Sequence, residues 1–209
     1  MSRTSSSGII WVAVVAALLG LVGPGQAAMI TYTFSGTGTG DLNGNNFTNA
    51  SFRVTVISDI TNIFPFLPGT LDIVNLPATI EISGLGTVNF SNPVYVFNNQ
   101  PNTVVGFGDY TDMDFQGDFW DQSSNLLATY GLNTSFGPIT TTQPTFAIFT
   151  DTNRGFLSLE QTGSATFQAS LASVPEPSSA VLLCLGIASL ARPRRLMGAF
   201  CARVGVRHN

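Results

Sequence analysis

Between residues 28 and 173 the chain alternates apolar and polar residues with a period of two, and no stretch there shows a helical period with caps. Ile30-Thr31-Tyr32-Thr33-Phe34 alternates in this way, as does Phe52-Arg53-Val54-Thr55-Val56. The same period recurs at 79–83, 92–97, 145–149, 155–159 and 165–169, with 103–107 and 126–130 as further candidates. Clusters of Gly, Asn, Pro and Ser separate these runs: SGTGTGDLNGNN, PFLPG, NNQPN and GPITTTQP. About ten short strands with turn signals every 8 to 14 residues or so predict an all-β domain, an antiparallel β-sandwich or jelly-roll-like fold. Phenylalanine and threonine suit its pleated, half-buried surfaces.

A span of roughly 150 residues is long enough for one domain with a real core. Its charge is one-sided. The chain contains no lysine, and of its eight arginines only Arg53 and Arg154 fall between residues 28 and 177. All twelve acids lie in that interval, so it carries a formal charge of −10. Such a surface repels nucleic acid and anionic lipid and attracts cations. Both cysteines, Cys184 and Cys201, lie beyond it, so the domain has no disulfide and depends on its core.

The residue inventory also bounds the chemistry. The only histidine is His208, near the C-terminus, which excludes a Ser-His-Asp or Cys-His constellation and a histidine-rich metal site from residues 28 to 173. Gly36, Gly38 and Gly40 follow a strand as in a dinucleotide-binding loop, but no helix pattern follows and the spacing differs, which favours a hairpin end. Glu81 and Glu160 fall on the polar phase of their strands and read as solvated carboxylates rather than as a glycosidase pair. The densest charge is the run Asp109 to Asp121, with five aspartates. Asp112, Asp114, Gln116 and Gly117 match the opening positions of an EF-hand loop, but its last ligand position is Ser123 and no helices flank it, so an EF-hand is rejected. A different oxygen-ligand calcium site at Asp112, Asp114 and Asp118 is one reading. An edge strand whose aspartates block sheet-to-sheet aggregation is the other. Tyr110 and Trp120 could offer aromatic faces to a sugar ring or could belong to the core.

The two ends of the chain carry addresses. Residues 8–22 (GIIWVAVVAALLGLV) are uncharged and follow Arg3, and Gly23-Pro24-Gly25 breaks them before Gln26-Ala27. That order of n-region, h-region and small-residue site predicts a signal peptide, 1–27, cleaved by signal peptidase after Ala27, with Ala28 as the second choice. The alternative is a retained N-terminal anchor, for which the apolar run is short. At the other end, Pro175-Glu176-Pro177 fixes an extended joint, since two prolines remove donors and lock φ. Residues 178–191 follow without a charge, and a helix of that length spans roughly 21 Å, short of a hydrocarbon core of roughly 30 Å. Arg192, Arg194 and Arg195 then fit a cytoplasmic flank for a short transmembrane helix. A buried C-terminal core helix is the alternative.

Pro-Glu-Pro, a short apolar segment and an arginine cluster, in that order over residues 174–195, resemble the PEP-CTERM sorting signal of exported bacterial proteins. The resemblance implies recognition of Pro175, Glu176, Pro177, Arg192, Arg194 and Arg195 by the membrane enzyme exosortase, with cutting near the Pro-Glu-Pro. The chain departs from that pattern in continuing through the tail 196–209 and in placing Pro193 among the arginines. The stretches ITYTFSGTGTGDLNG and TYGLNTSFGPI are similar to domains found ahead of such signals. The resemblance implies an exported protein of the cell surface or extracellular polysaccharide matrix, anchored in the membrane only until processed. The expected role of residues 28–173 is structural and non-enzymatic, with no cofactor. A carbohydrate-binding module, with or without calcium, is the first alternative, and a hydrolase using paired aspartates the second.

Overall fold

The computed structural model describes residues 28–111, 114–141 and 147–172. The signal peptide, the sorting signal and the tail all lie outside the described residues. The chain divides into two units, Met1–Ser173 and Val174–Asn209, and the strands below belong to the first. Numbered along the chain, they are β1 (Met29–Leu42), β2 (Asn45–Asp59), β3 (Phe64–Leu67), β4 (Thr70–Leu76), β5 (Ala78–Ile82), β6 (Gly86–Asn89) and β7 (Val94–Asn99). Then come β8 (Val104–Thr111), β9 (Asp114–Ser123), β10 (Phe136–Thr141), β11 (Ala147–Thr152), β12 (Gly155–Gln161) and β13 (Ala165–Leu171). Every pairing between strands is antiparallel, and no α-helix occurs among the described residues.

β1 organises the larger, eight-stranded sheet. One edge pairs with β2 along its whole length. The other is shared: Ile30 to Ser35 pair with β13, and Gly38 to Leu42 pair with β12. β5 and β6 extend the sheet beyond β2, β10 extends it beyond β13, and β11 pairs with β12. The hairpin between β1 and β2 turns on Asn43 and Gly44, both at positive φ (51° and 86°), as a two-residue loop requires. The SGTGTGDL stretch is therefore strand, not the separator its glycines suggested. Its glycines fall on the inward phase, where other backbone lies too close for a side chain: a Cβ on Gly40 would collide with the Ser158 carbonyl.

The second sheet has five strands in the order β3-β4-β7-β8-β9. Its first edge is Phe64-Pro65-Phe66-Leu67, read from sequence as a separator; proline is tolerated there because an edge strand has a side without partners. GPIT, likewise read as a separator, lies in β10. The strand expected at 126–130 is instead a short 3-10 helix over Asn125–Thr129. Ser124 caps it by accepting from the Leu126 amide at 3.4 Å.

The two sheets share one apolar cluster. Phe34 of β1 is its hub, with ring centroids 4.7 Å from Phe107 of β8, 5.1 Å from Phe167 of β13 and 5.6 Å from Trp120 of β9. Contacts of this geometry add to the stabilisation from burial. Two polar side chains inside the core act as ties. Gln122 of β9, fully buried, donates from Nε2 to the Ile139 carbonyl at 2.8 Å and the Ala165 carbonyl at 3.3 Å. It thus joins the smaller sheet to β10 and β13 of the larger. Asn98 of β7 donates to the Leu127 and Tyr130 carbonyls at 3.1 and 2.7 Å and holds the 3-10 segment down. Removing a donor from buried carbonyls leaves their desolvation uncompensated. Gln122→Ala is therefore expected to lower unfolding stability by about 2 kcal/mol in urea titration. Gln122→Met, which keeps the volume, should recover little of that; full recovery by methionine would mean that packing, not donation, accounts for the loss.

Candidate functional site

Chemistry requires side chains that leave the core. On β7, Val94 and Val96 point into the cluster, while Tyr95 and Phe97 lie on the opposite face of the sheet. That outer face is built in rows. Phe64, Asp72, Phe97, Gly106 and Asp121 stand opposite one another across the five strands, and Tyr95, Gly108 and Asp118 form the next row. The glycines make the arrangement possible. A Cβ on Gly106 would stand 2.6 Å from the Phe97 ring, and one on Gly108 would stand 2.6 Å from the Tyr95 hydroxyl. Both rings therefore lie flat across β8, their centroids 5.8 Å apart, and Tyr95 reaches over Gly108 to donate its hydroxyl to Asp118 Oδ1 on β9.

The result is a shallow groove of about 190 Å³ whose lining includes Asp72, Tyr95, Phe97 and Asp118, with Phe66 and Leu67 of β3 at its lip. Asp72 is only 2% exposed, and its Oδ1 has no hydrogen-bond partner. Burial, and then the Asp118 charge, push its carboxyl up to about 6. Asp121 is raised to about 6 for the same reasons in the same order; its carboxyl is partly withdrawn from water although the residue as a whole is exposed. Burial also pushes the Tyr95 hydroxyl well above the usual phenol range, with its bond to Asp118 and the nearby aspartate charges adding to that, so it stays a donor. Such a site can offer carboxylate acceptors beside aromatic faces.

A second, larger concavity of about 520 Å³ lies on the eight-stranded sheet. Ser35, Thr37, Ser51, Arg53, Glu81 and Thr166 face into it. Arg53 and Glu81, opposite one another on β2 and β5, approach to 3.7 Å. Exposed ion pairs of this kind contribute little to stability, but the hydroxyls and the charged pair form a polar surface open to water.

The residues singled out from sequence fare differently. Trp120 is fully buried among Phe34, Phe52 and Phe107, so its indole is core and offers no platform to a sugar. A bulge causes this: Phe107 pairs with Trp120 and Gly108 with Asp118, so Phe119 is the extra residue and both it and Trp120 turn inward. Tyr110, half-buried on β8, is not brought together with Trp120. Of the calcium set, Asp112 and the side chain of Asp114 lie outside the described residues, and Asp118 accepts from Tyr95. Among the described residues no group of three or more His, Cys, Asp or Glu side chains is placed to hold a metal ion. The part from Asp114 to Asp121 does run along an edge, since it belongs to β9, which closes the five-stranded sheet; Asp109 to Thr111 lie in β8, an inner strand. Glu81 and Glu160 are exposed on their strands, as their phase predicted.

Sequence reasoning passed over Asp72, Tyr95 and Phe97. The signals were an aspartate inside the apolar run Leu71-Asp72-Ile73-Val74, and aromatic residues alternating on Val94 to Phe97 opposite alternating glycines on Val105 to Gly108. No family model, no curated protein and no solved structure matches this chain.

Proposed function

We propose that this is an exported protein of the cell surface or extracellular polysaccharide matrix, sorted by a PEP-CTERM signal, with a structural, non-enzymatic β-sandwich domain as its cargo. The observation that carries this reading is the C-terminal order of Pro175-Glu176-Pro177, an uncharged segment and Arg192, Arg194 and Arg195, in a chain that also has an uncharged apolar run at residues 8–22. The extent of the β fold supports it. β1 begins at Met29, two residues after the expected cleavage at Ala27, and β13 ends at Leu171, three residues before Val174. The Ala172 amide bonds back to the Met29 carbonyl at 2.8 Å, so the first and last strands meet at the ends of the described β fold. Signal peptidase and exosortase are the processing partners on this reading, and the apolar segment 178–191 is a transient membrane anchor.

Intact mass spectrometry of the protein recovered from its producing cell tests the address. The expected chain begins at Ala28 or Met29 and lacks the arginine cluster. A mature protein that retains Arg192 to Arg195 would overturn the sorting assignment.

A second reading is supported by the polar concavity on the eight-stranded sheet, where hydroxyls and the Arg53–Glu81 pair line a surface suited to a polysaccharide segment. Carbohydrate binding there predicts retention of the protein on the producer's own extracellular polysaccharide, reduced by Arg53→Ala. Equal retention of wild type and variant, or none, removes that reading and leaves the structural one.

A further inference from the structure

The groove on the five-stranded sheet holds a charge imbalance that no described residue corrects. Asp72 is nine-tenths and more buried, its Oδ1 has no partner, and Asp118 beside it is a second carboxylate. A buried carboxylate without a counter-charge is costly, and structures pair such groups or leave them for a ligand. No cation of the domain answers this need. Its only two, Arg53 and Arg154, are engaged elsewhere: Arg53 with Glu81, and Arg154 through Nη1 with the Leu85 carbonyl at 2.7 Å. The other walls are Thr70 and Asn99 together with apolar and aromatic side chains. Tyr95 and Phe97 line the groove with their rings, and Phe66 and Leu67, 45% and 57% exposed, form its lip.

We propose that this groove binds an organic ammonium group carried on a short alkyl stem, the ammonium between the Asp72 and Asp118 carboxylates and the stem along Phe66 and Leu67. An ammonium has three donors, enough for the free oxygen of Asp72 and a lone pair of Asp118. Its charge meets two carboxylates and the negative faces of aromatic rings, and charge-assisted bonds with cation–π attraction strengthen in a partly dry site. A divalent metal fits less well, since calcium takes six to eight oxygens and no three acidic side chains converge here among the described residues. Free diamines and the lysine side chain of another protein share this chemistry.

Binding depends on pH. The titratable groups that face Asp72 are Tyr95 of β7 and Asp118 and Asp121 of β9; β3 has none, and β8 faces it with Gly106 and Gly108. An ammonium needs the ionised form of Asp72, whose carboxyl lies at about 6, so affinity rises from pH 5 to pH 7 and levels above that. At one unit below its pKa a carboxyl is roughly a tenth ionised, which makes binding roughly tenfold weaker at pH 5 than at pH 7.5.

The test is an amide-resolved NMR titration of the full-length protein at matched ionic strength. Butylammonium and neutral 1-butanol are the probes, with 1,4-diaminobutane and Nα-acetyl-lysine amide as arms that separate a free diamine from a protein side chain. Saturable shifts at Asp72, Tyr95, Phe97 and Asp118 with butylammonium, weakened about tenfold at pH 5, are expected. Asp118→Asn, an exposed and nearly isosteric change, should weaken binding at least several-fold while the spectrum stays folded, and Asp72→Asn should do the same. Equal shifts with 1-butanol, no saturable shift with butylammonium, or undiminished binding by a folded Asp118→Asn protein would overturn the proposal.

Discussion

Trp120→Ala is expected to lower the stability of the protein by about 3–5 kcal/mol, the range for removing a large aromatic side chain from a packed core. For a domain of this size that corresponds to a fall in melting temperature of about 10–15 °C in a scan followed by circular dichroism. The indole is fully buried, stands edge-on to Phe34 at 5.6 Å and to Phe52 at 6.1 Å, and lies tilted against Phe107 at 6.4 Å. Alanine would open a cavity facing both sheets at once, because Phe34 and Phe52 belong to the larger sheet and Trp120 and Phe107 to the smaller. The same substitution separates two roles for this residue. An exposed sugar platform would lose ligand and keep its melting temperature, whereas a core residue loses melting temperature first. A shift below about 3 °C would show that the site collapses around the change and that the aromatic cluster is less essential than its geometry indicates.

Acidification is expected to stabilise this domain, opposite to the usual behaviour of carboxylates paired in the native state. The Asp72 carboxyl is raised from its ordinary 3.8 to about 6 in the folded protein by burial and by Asp118. Between those values the folded protein holds a proton that the unfolded chain has released. Stability therefore falls as pH rises through the window from about 4 to about 6, and the loss is complete above it. The whole shift corresponds to at most about 3 kcal/mol, of which roughly half falls between pH 5 and pH 7.5. Asp121, raised in the same direction, adds to the trend, discounted because the residue is exposed. Urea unfolding at the two pH values measures the step directly. Asp72→Asn should remove most of it and raise the melting temperature at pH 7.5, since a neutral amide does not oppose Asp118. A wild-type protein more stable at pH 7.5 than at pH 5 would contradict the placement of Asp72 as a buried, unpaired acid.

The strands of this fold were legible wherever side chains alternate in hydropathy. The segments at Ile30, Phe52, Thr79, Gly155 and Ala165 needed only a period of two, because each faces a core on one side and water on the other. Reading failed where glycine and proline do something other than turn the chain. In SGTGTGDL the glycines stay in the strand because β12 crowds the inward face, and crowding by a partner more than a hundred residues away leaves no local signature. In FPFL the proline is tolerated only because the strand is an edge, a fact of topology. Leu126 to Tyr130 has strand-like residues, but the Ser124 cap and the Asn98 side chain fix it as a 3-10 turn.

The groove was harder still. The eye goes to the five aspartates of Asp109 to Asp121, yet the buried acid is Asp72, alone in an apolar run. Phe97 stands opposite it and reaches across Gly106, and the site's hydrogen bond depends on Tyr95 reaching across Gly108. Each strand carries half of that pattern, and only the register between them brings the halves together.

The divided edge of β1 also fixes the order in which this molecule can be completed. For a chain that emerges amino end first, from a ribosome or through a membrane pore, the first strand of the domain waits for the last. β1 can zip to β2 at once, but its second edge stays open until residues 157–171 have followed. Contacts of such long sequence separation close late and slowly, so the larger sheet is a product of the finished chain rather than of its early part. Until then the G-T-G-T-G stretch, with little apolar side-chain surface, presents a poor template for pairing with another chain.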